Sequence, residues 1–242
     1  MARESGFFRY WRGFSNYLNF CKIMYTPKAF ELTDQASQYQ VIREYPFGTL
    51  VSGGKDELVA THLPFLVTTD ARQNVVLQAH IARSNAEFSQ LGEGTRVLAI
   101  FQGPHSYVSP SWYPSKASSN GKAVPTWNYV AVHVHGTLMI QSDPAWLLEH
   151  LTLQTERYER TQPNPWSIDD APVDYIDAML RSIVGIEITI TDIEAKEKLS
   201  QNRPLADQQG VIDSLTKGES SGLQKALSSE IARRMKANIA AR

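Results

Sequence analysis

Within 184–193 the side chains of 186–191 alternate strictly. Ile186, Ile188 and Ile190 are apolar, and Glu187, Thr189 and Thr191 between them are polar. A period of two predicts a strand with one dry face and one wet face. Further strands are predicted over 47–52, 57–66, 75–79, 97–101 and 129–140, with Gly53-Gly54-Lys55-Asp56 as a hairpin turn and Pro64 marking an edge or bulge. Helical spacing predicts helices elsewhere. Thr33 or Asp34 caps one that Pro46 stops, 84–91 is long enough for a short one, and Asp143-Pro144 starts one with the stripe Leu147, Leu148, Leu151 and Tyr158, ending before Pro163. Residues 172–182 form another, and Leu223, Leu227, Ile231, Met235 and Ile239 stripe a last one opposite Lys225, Arg233 and Lys236. Between 107 and 127, Pro110, Pro114 and Pro125 with a small polar run predict a long surface loop. The sum is a mainly β chain, with α-helices added: a closed antiparallel barrel with peripheral helices rather than a doubly wound sheet.

Composition narrows the function classes. At 242 residues with a formal net charge of -1, the chain has no global attraction to nucleic acid or anionic membrane, so DNA contact would need a local basic patch. The single cysteine, Cys21, rules out an internal disulfide framework and a multi-cysteine metal site, which fits the cytoplasm. No apolar run reaches bilayer length. The first 23 residues interleave aromatic and basic side chains without an apolar signal core. They read either as an upstream extension from a mis-called start, with Met24 as the initiator, or as an arm that lies on a partner or membrane surface.

The chemistry-bearing motifs are few. The chain lacks GxxxxGK[ST], GxGxxG and HExxH, and its one GxSxG string, GESSG at 218–222, follows no predicted strand and so is not a nucleophile elbow. His133 and His135 share one face of a predicted strand but have no forced third ligand, so they read as a surface or core pair rather than a metal site. His62, His80 and His105 lie near strand ends, where a neutral imidazole can bond a ligand edge or a structural partner. In LQAHIARSNAEF a strand end meets a predicted helix start. Backbone N–H groups, Arg83, Ser84 and Asn85 then converge in a competent anion site. Aromatic residues around it, Phe47, Phe101, Tyr107, Trp112 and Trp127, suit a flat conjugated ring or a plain core.

The runs MYTPKAF, PFGTLVS, ATHLPFL, LQAHIARSN, FQGPHSYVSPSWYPSK, VPTWNYVAVHVHG and IVGIEITITDIEAKEKLSQNR resemble the PaiB family, described as FMN-binding negative transcriptional regulators. The resemblance spans Met24 to about Gly218 and divides the chain into an extension (1–23), a split-barrel domain (24–218) and an amphipathic C-terminal helix (219–242). It implies an antiparallel split β-barrel of the FMN-binding type, a homodimer, and FMN in clefts at the subunit interface. Arg83, Ser84 and Asn85 would hold the phosphate, with His80 in the same segment. Thr49, Leu50 and Val51 would lay backbone along the isoalloxazine edge, with His62 nearby. Lys198, Gln201 and Arg203 would close the site, and Trp127 and Asn128 would reach in from the partner subunit. Two positions depart from the family pattern: Ala195 where glycine is expected, and Gln208 where arginine is expected. Three functions follow as expectations: transcriptional repression, an FMN-dependent oxidoreductase, and haem binding through His62, His80 or His105.

Overall fold

The computed structural model describes residues 24–53, 58–85, 92, 94–218 and 222–241. The first 23 residues, the hairpin turn 54–57 and all but the first two residues of the helix expected over 84–91 lie outside the described residues; Ser84 belongs to a turn. The chain opens with α1 (Gln35–Glu44), whose cap Asp34 accepts the Ser37 N–H. It continues through β1 (Phe47–Gly53), β2 (Leu58–Pro64), β3 (Leu66–Thr69), β4 (Val75–Ala82), β5 (Thr95–Val108) and β6 (Thr126–Gln141). Then come α2 (Pro144–Glu159), α3 (Val173–Ser182), β7 (Ile183–Lys198), α4 (Leu205–Lys217) and α5 (Gly222–Ala240).

The strands form one seven-stranded sheet in the order β2-β1-β5-β6-β7-β4-β3. Every named pairing is antiparallel. Its two outermost strands are consecutive in the chain and joined by Phe65 alone, so the sheet has to curl until its edges meet. The expected strand over 57–66 is therefore two: up to Pro64 the chain pairs with β1, and from Leu66 it pairs with β4. Proline cannot donate to a ladder, and the change of partner falls beside it. Beyond that point β2 and β4 come close but form no ladder with each other, which makes the barrel split. Leu50, Phe65, Leu77, Ala79, Ala99, Phe101, Val132, Val134, Ile186 and Ile188 fill the interior, joined by Val41 and Ile42 of α1.

Five strands run longer than the pattern predicts. β5 and β6 continue as a hairpin to Val108 and Thr126, past a bulge between Gln102 and His105. This extension carries a second core, in which Val108, Tyr113 and Leu199 pack with Val211, Ile212 and Leu215 of α4 and Ile231, Ala232 and Met235 of α5. The α4 helix, absent from the sequence reading, anchors the proline-rich connection, because its fully buried Asp207 accepts both the Ser115 N–H and the Ser115 hydroxyl. The 107–127 segment is thus the expected surface loop, docked through Tyr113 and Ser115, with two short 3-10 turns and with its ends taken into β5 and β6. Of the C-terminal stripe Ile231 and Met235 are buried, Leu227 and Ile239 are half-buried and Leu223 is exposed, and Arg234 on α5 bridges Glu44 of α1, Glu197 of β7 and Glu230. Ala195 sits in β7 opposite Val132 with no left-handed backbone, so glycine is not required there. Gln208 is buried and donates to the Arg203 carbonyl.

Candidate functional site

The end of β4 is fixed from three sides. Arg83 N–H donates to the Ser182 carbonyl at 2.9 Å, Asn85 N–H donates to the Ala82 carbonyl at 3.0 Å, and Ala82 lies opposite Ile183. Arg83 and Ser84 are exposed, and Arg83 has no ion-pair partner among the described residues. A guanidinium left free on a pinned turn, next to a hydroxyl and an amide side chain, is a ready receptor for a phosphate.

Behind this turn lies a buried aromatic and imidazole group. His80 Nδ1 and His150 Nε2 share a hydrogen bond of 3.2 Å, and the Trp146 ring stacks on His150 at 5.3 Å between centroids with the planes 11° apart. Burial lowers the His80 pKa, while burial and the neighbouring His80 push His150 down to about 4, so both are neutral near pH 7. The α2 stripe read from sequence needs correction, because Leu148 and Tyr158 are exposed, whereas Leu147 and His150 are buried. The contact face of the helix is Trp146, His150, Gln154 and Arg157, spaced one helical turn apart. It straps the split: Trp146 lies over Gly185 of β7, His150 meets His80 of β4, Gln154 donates to the Pro64 carbonyl of β2, and Arg157 donates to the Arg43 carbonyl of α1. Apolar periodicity alone could not find His150.

On the other lip of the split, Thr49 lies opposite His62, which is exposed and stacked on Phe47 at 6.3 Å. β1 is paired on both sides over Thr49–Ser52, so it presents the half-buried Thr49 and Val51 side chains outward, while the Leu50 side chain is wholly inside the core. Register continues this outer row from His62 and Thr49 through Ile100 and His133 to Glu194. His135 Nε2 lies 3.0 Å from Glu194 Oε2, the acidic partner that the spacing could not supply. His133 has its pKa lowered by burial, and its buried Nδ1 has no partner. No group of three metal-ligating side chains occurs among the described residues.

The remaining candidates lie at the opposite end of the barrel. Tyr129 pairs with Lys198 and Gln141 with Gly185, the residue also opposite His80, so roughly 40 Å of strand, at ~3.3 Å per residue, separates the two ends of β6. Trp127 is half exposed, packed against His105 and Tyr107 with centroids 6.1 Å away in both cases. Asn128 is fully buried in its own subunit, where its Oδ1 accepts from the Ser200 hydroxyl and its Nδ2 faces Met235 sulfur. Of the two residues expected to reach toward a partner, Asn128 is enclosed and Trp127 is half exposed. Gln201 staples its own turn by accepting from Leu199 N–H and donating to the Glu197 carbonyl, beside Ser200 with φ 63°. Lys198 donates to Thr126, its pKa lowered by burial and by Lys196 and Arg203, and the Arg203 guanidinium lies 4.8 Å above the Tyr113 ring.

A curled antiparallel barrel, split between β2 and β4 with an uncommitted arginine at the lip, defines a split-barrel cofactor-binding domain. The family described as "Putative FMN-binding domain" matches residues 24–192, and the chain belongs to this PaiB-type family, whose cofactor is FMN. Among its relatives, the protease synthase and sporulation protein PAI 2 of Bacillus subtilis is 37% identical over 197 residues, covering 81% of this chain and 91% of that protein. An uncharacterised protein of Saccharomyces cerevisiae is 35% identical over 159 residues, 58% of this chain and 93% of its own. Two solved structures share the fold at low identity. They are a conserved hypothetical protein of Mycobacterium tuberculosis (TM-score 0.52, 15% identity, 75% of this chain and 94% of that one) and the flavocytochrome Anf3 of Azotobacter vinelandii (TM-score 0.50, 14%, 69% and 69%). The residues present fit FMN: Arg83 and Ser84 offer unspent donors to its phosphate, and no carboxylate competes for Arg83 among the described residues. No helix among the described residues is long and apolar enough to cross a membrane.

Proposed function

We propose that the protein is a cytoplasmic homodimer that binds FMN at the subunit interface and acts as a negative regulator of transcription. Arg83, Ser84 and Asn85 hold the phosphate, Thr49, Val51 and His62 border the ring on the same subunit, and Trp127 with Lys198, Gln201 and Arg203 close the site from the partner. Bound FMN supplies redox chemistry of its ring, and the protein binds, orients and shields it. Arg83 carries this reading, because its side chain is exposed, has no counter-charge among the described residues and stands on a pinned turn beside the split. Two groups of candidates at opposite ends of β6 support a site shared between subunits. Kinship to a relative named for sporulation supports a regulatory role.

The test is an absorption titration with FMN. The wild type should develop the two-band spectrum of bound flavin, and Arg83→Ala should weaken binding ten- to a hundredfold, the loss of a charge-assisted contact of about 1.5–3 kcal/mol. A protein that FMN does not titrate overturns the reading. Regulation is tested by adding the loaded dimer to its own upstream DNA and to random duplex at moderate salt; equal affinities would overturn direct repression.

One observation favours a second reading, an oxidoreductase. The exposed cluster of Trp127, Tyr107 and His105, backed by a docked loop, makes a fixed wall on which a flat substrate could lie. Turnover of reduced nicotinamide by the FMN-loaded protein would favour it. A Soret band in the purified protein would instead mark haem.

A further inference from the structure

The His80–His150 pair is an odd element in a packed layer. His150 is 1% exposed, yet among the described residues its Nδ1 has no hydrogen-bond partner, and the one polar contact of its ring there is the 3.2 Å bond to His80. A phenylalanine would fill the same space, keep the stack on Trp146 and leave no orphaned nitrogen. The imidazole is therefore costly as a packing residue, and what it adds is the link to β4. His80 lies three residues before Arg83 on a strand whose next links are Ala82 to Ile183 and Arg83 N–H to Ser182. Directly opposite His80 is Gly185, where a Cβ would stand 2.2 Å from Trp146 Cζ3, so the ring that backs His150 is itself seated on the sheet.

We propose that His150 is a positioning residue for the phosphate site: held by Trp146 on Gly185, it grips His80 and thereby fixes the strand end from which Arg83, Ser84 and Asn85 emerge. The inference rests on the reading that this turn binds the FMN phosphate. It assigns α2 the task of setting phosphate selectivity, in addition to covering the split. No other charged side chain influences either imidazole appreciably, and the buried Glu187 on β7 is already bonded to Gln78.

The experiment compares dissociation constants for FMN and for riboflavin, which lacks the phosphate, in the full-length wild type, Arg83→Ala, His150→Phe and His150→Gln, with thermal melts alongside. The ratio of the two constants isolates the phosphate contact, which a loss of stability alone would not move. His150→Phe is expected to melt within a few degrees of wild type but to lower the FMN preference at least fivefold. His150→Gln, whose amide reaches the place of Nε2, should restore most of it. A wild type with no preference for FMN, or an Arg83→Ala variant that keeps the preference, removes the phosphate reading and the inference with it. A preference lost in Arg83→Ala but kept in His150→Phe overturns the role of His150 alone.

Discussion

Two side chains at the end of β4 are governed by opposite electrostatics. Arg83 stands in solvent with its charge unspent, whereas His150 is so deeply buried that the fold excludes its charged form. The second fact makes stability depend on pH with a definite sign. In the fold His150 takes up a proton only near pH 4, whereas an ordinary histidine does so near 6.5. Across that window the unfolded chain binds more protons than the native one, so acid favours unfolding. Stability measured by urea denaturation should fall on this account by about 2 kcal/mol between pH 7 and pH 5. His150→Phe should flatten that part of the profile, and an unchanged slope would mean that His150 is not buried as a neutral group. At this scale the sequence offered Arg83 as a candidate anchor, because a basic residue after a strand is visible in one dimension. It hid His150, whose partner lies 70 positions away.

Among elements, α2 does more than its apolar stripe suggests. One face meets β7, β4, β2 and α1 in turn, and so ties together the two lips that backbone hydrogen bonds leave apart. Its seat on the sheet is Gly185, the position where any side chain would collide with Trp146. Gly185→Ala should cost about 1–3 kcal/mol by overpacking, and should raise amide exchange in α2 more than in β5 and β6. Uniform exchange in the variant would sink the idea that the strap hangs on this contact. Pattern reading located α2 from its Asp143-Pro144 start, since capping chemistry is local. It missed α4, whose buried face includes Asp207 and Gln208, polar residues that blur the apolar period.

For the whole molecule, the separation of the candidate residues predicts how subunits cooperate. If one subunit supplies Arg83 and the other Trp127 and Arg203, two defective variants should rescue each other. Arg83→Ala and Arg203→Ala, mixed and allowed to exchange subunits, should recover FMN sites in about a quarter of the positions, because each mixed dimer of a two-fold assembly holds one intact site. Mixtures that bind no better than either variant alone would place both sets of residues in the same subunit's site or show that one set is idle. Light scattering of the wild type should give twice the mass of one chain.

The barrel class and most strand and helix positions are written in the order of the residues. Alternation, caps and turn residues act over a few neighbours, and family runs such as GPHSYVSPSWYPSK carry their order with them. Folding alone sets where strand 57–66 changes partner at Phe65, that Asn128 and the Leu50 side chain are buried, and that Glu194 answers His135. Those outcomes depend on which strands become neighbours when the sheet curls, and on space left between helices, quantities set by packing of the whole chain and by no local run of residues.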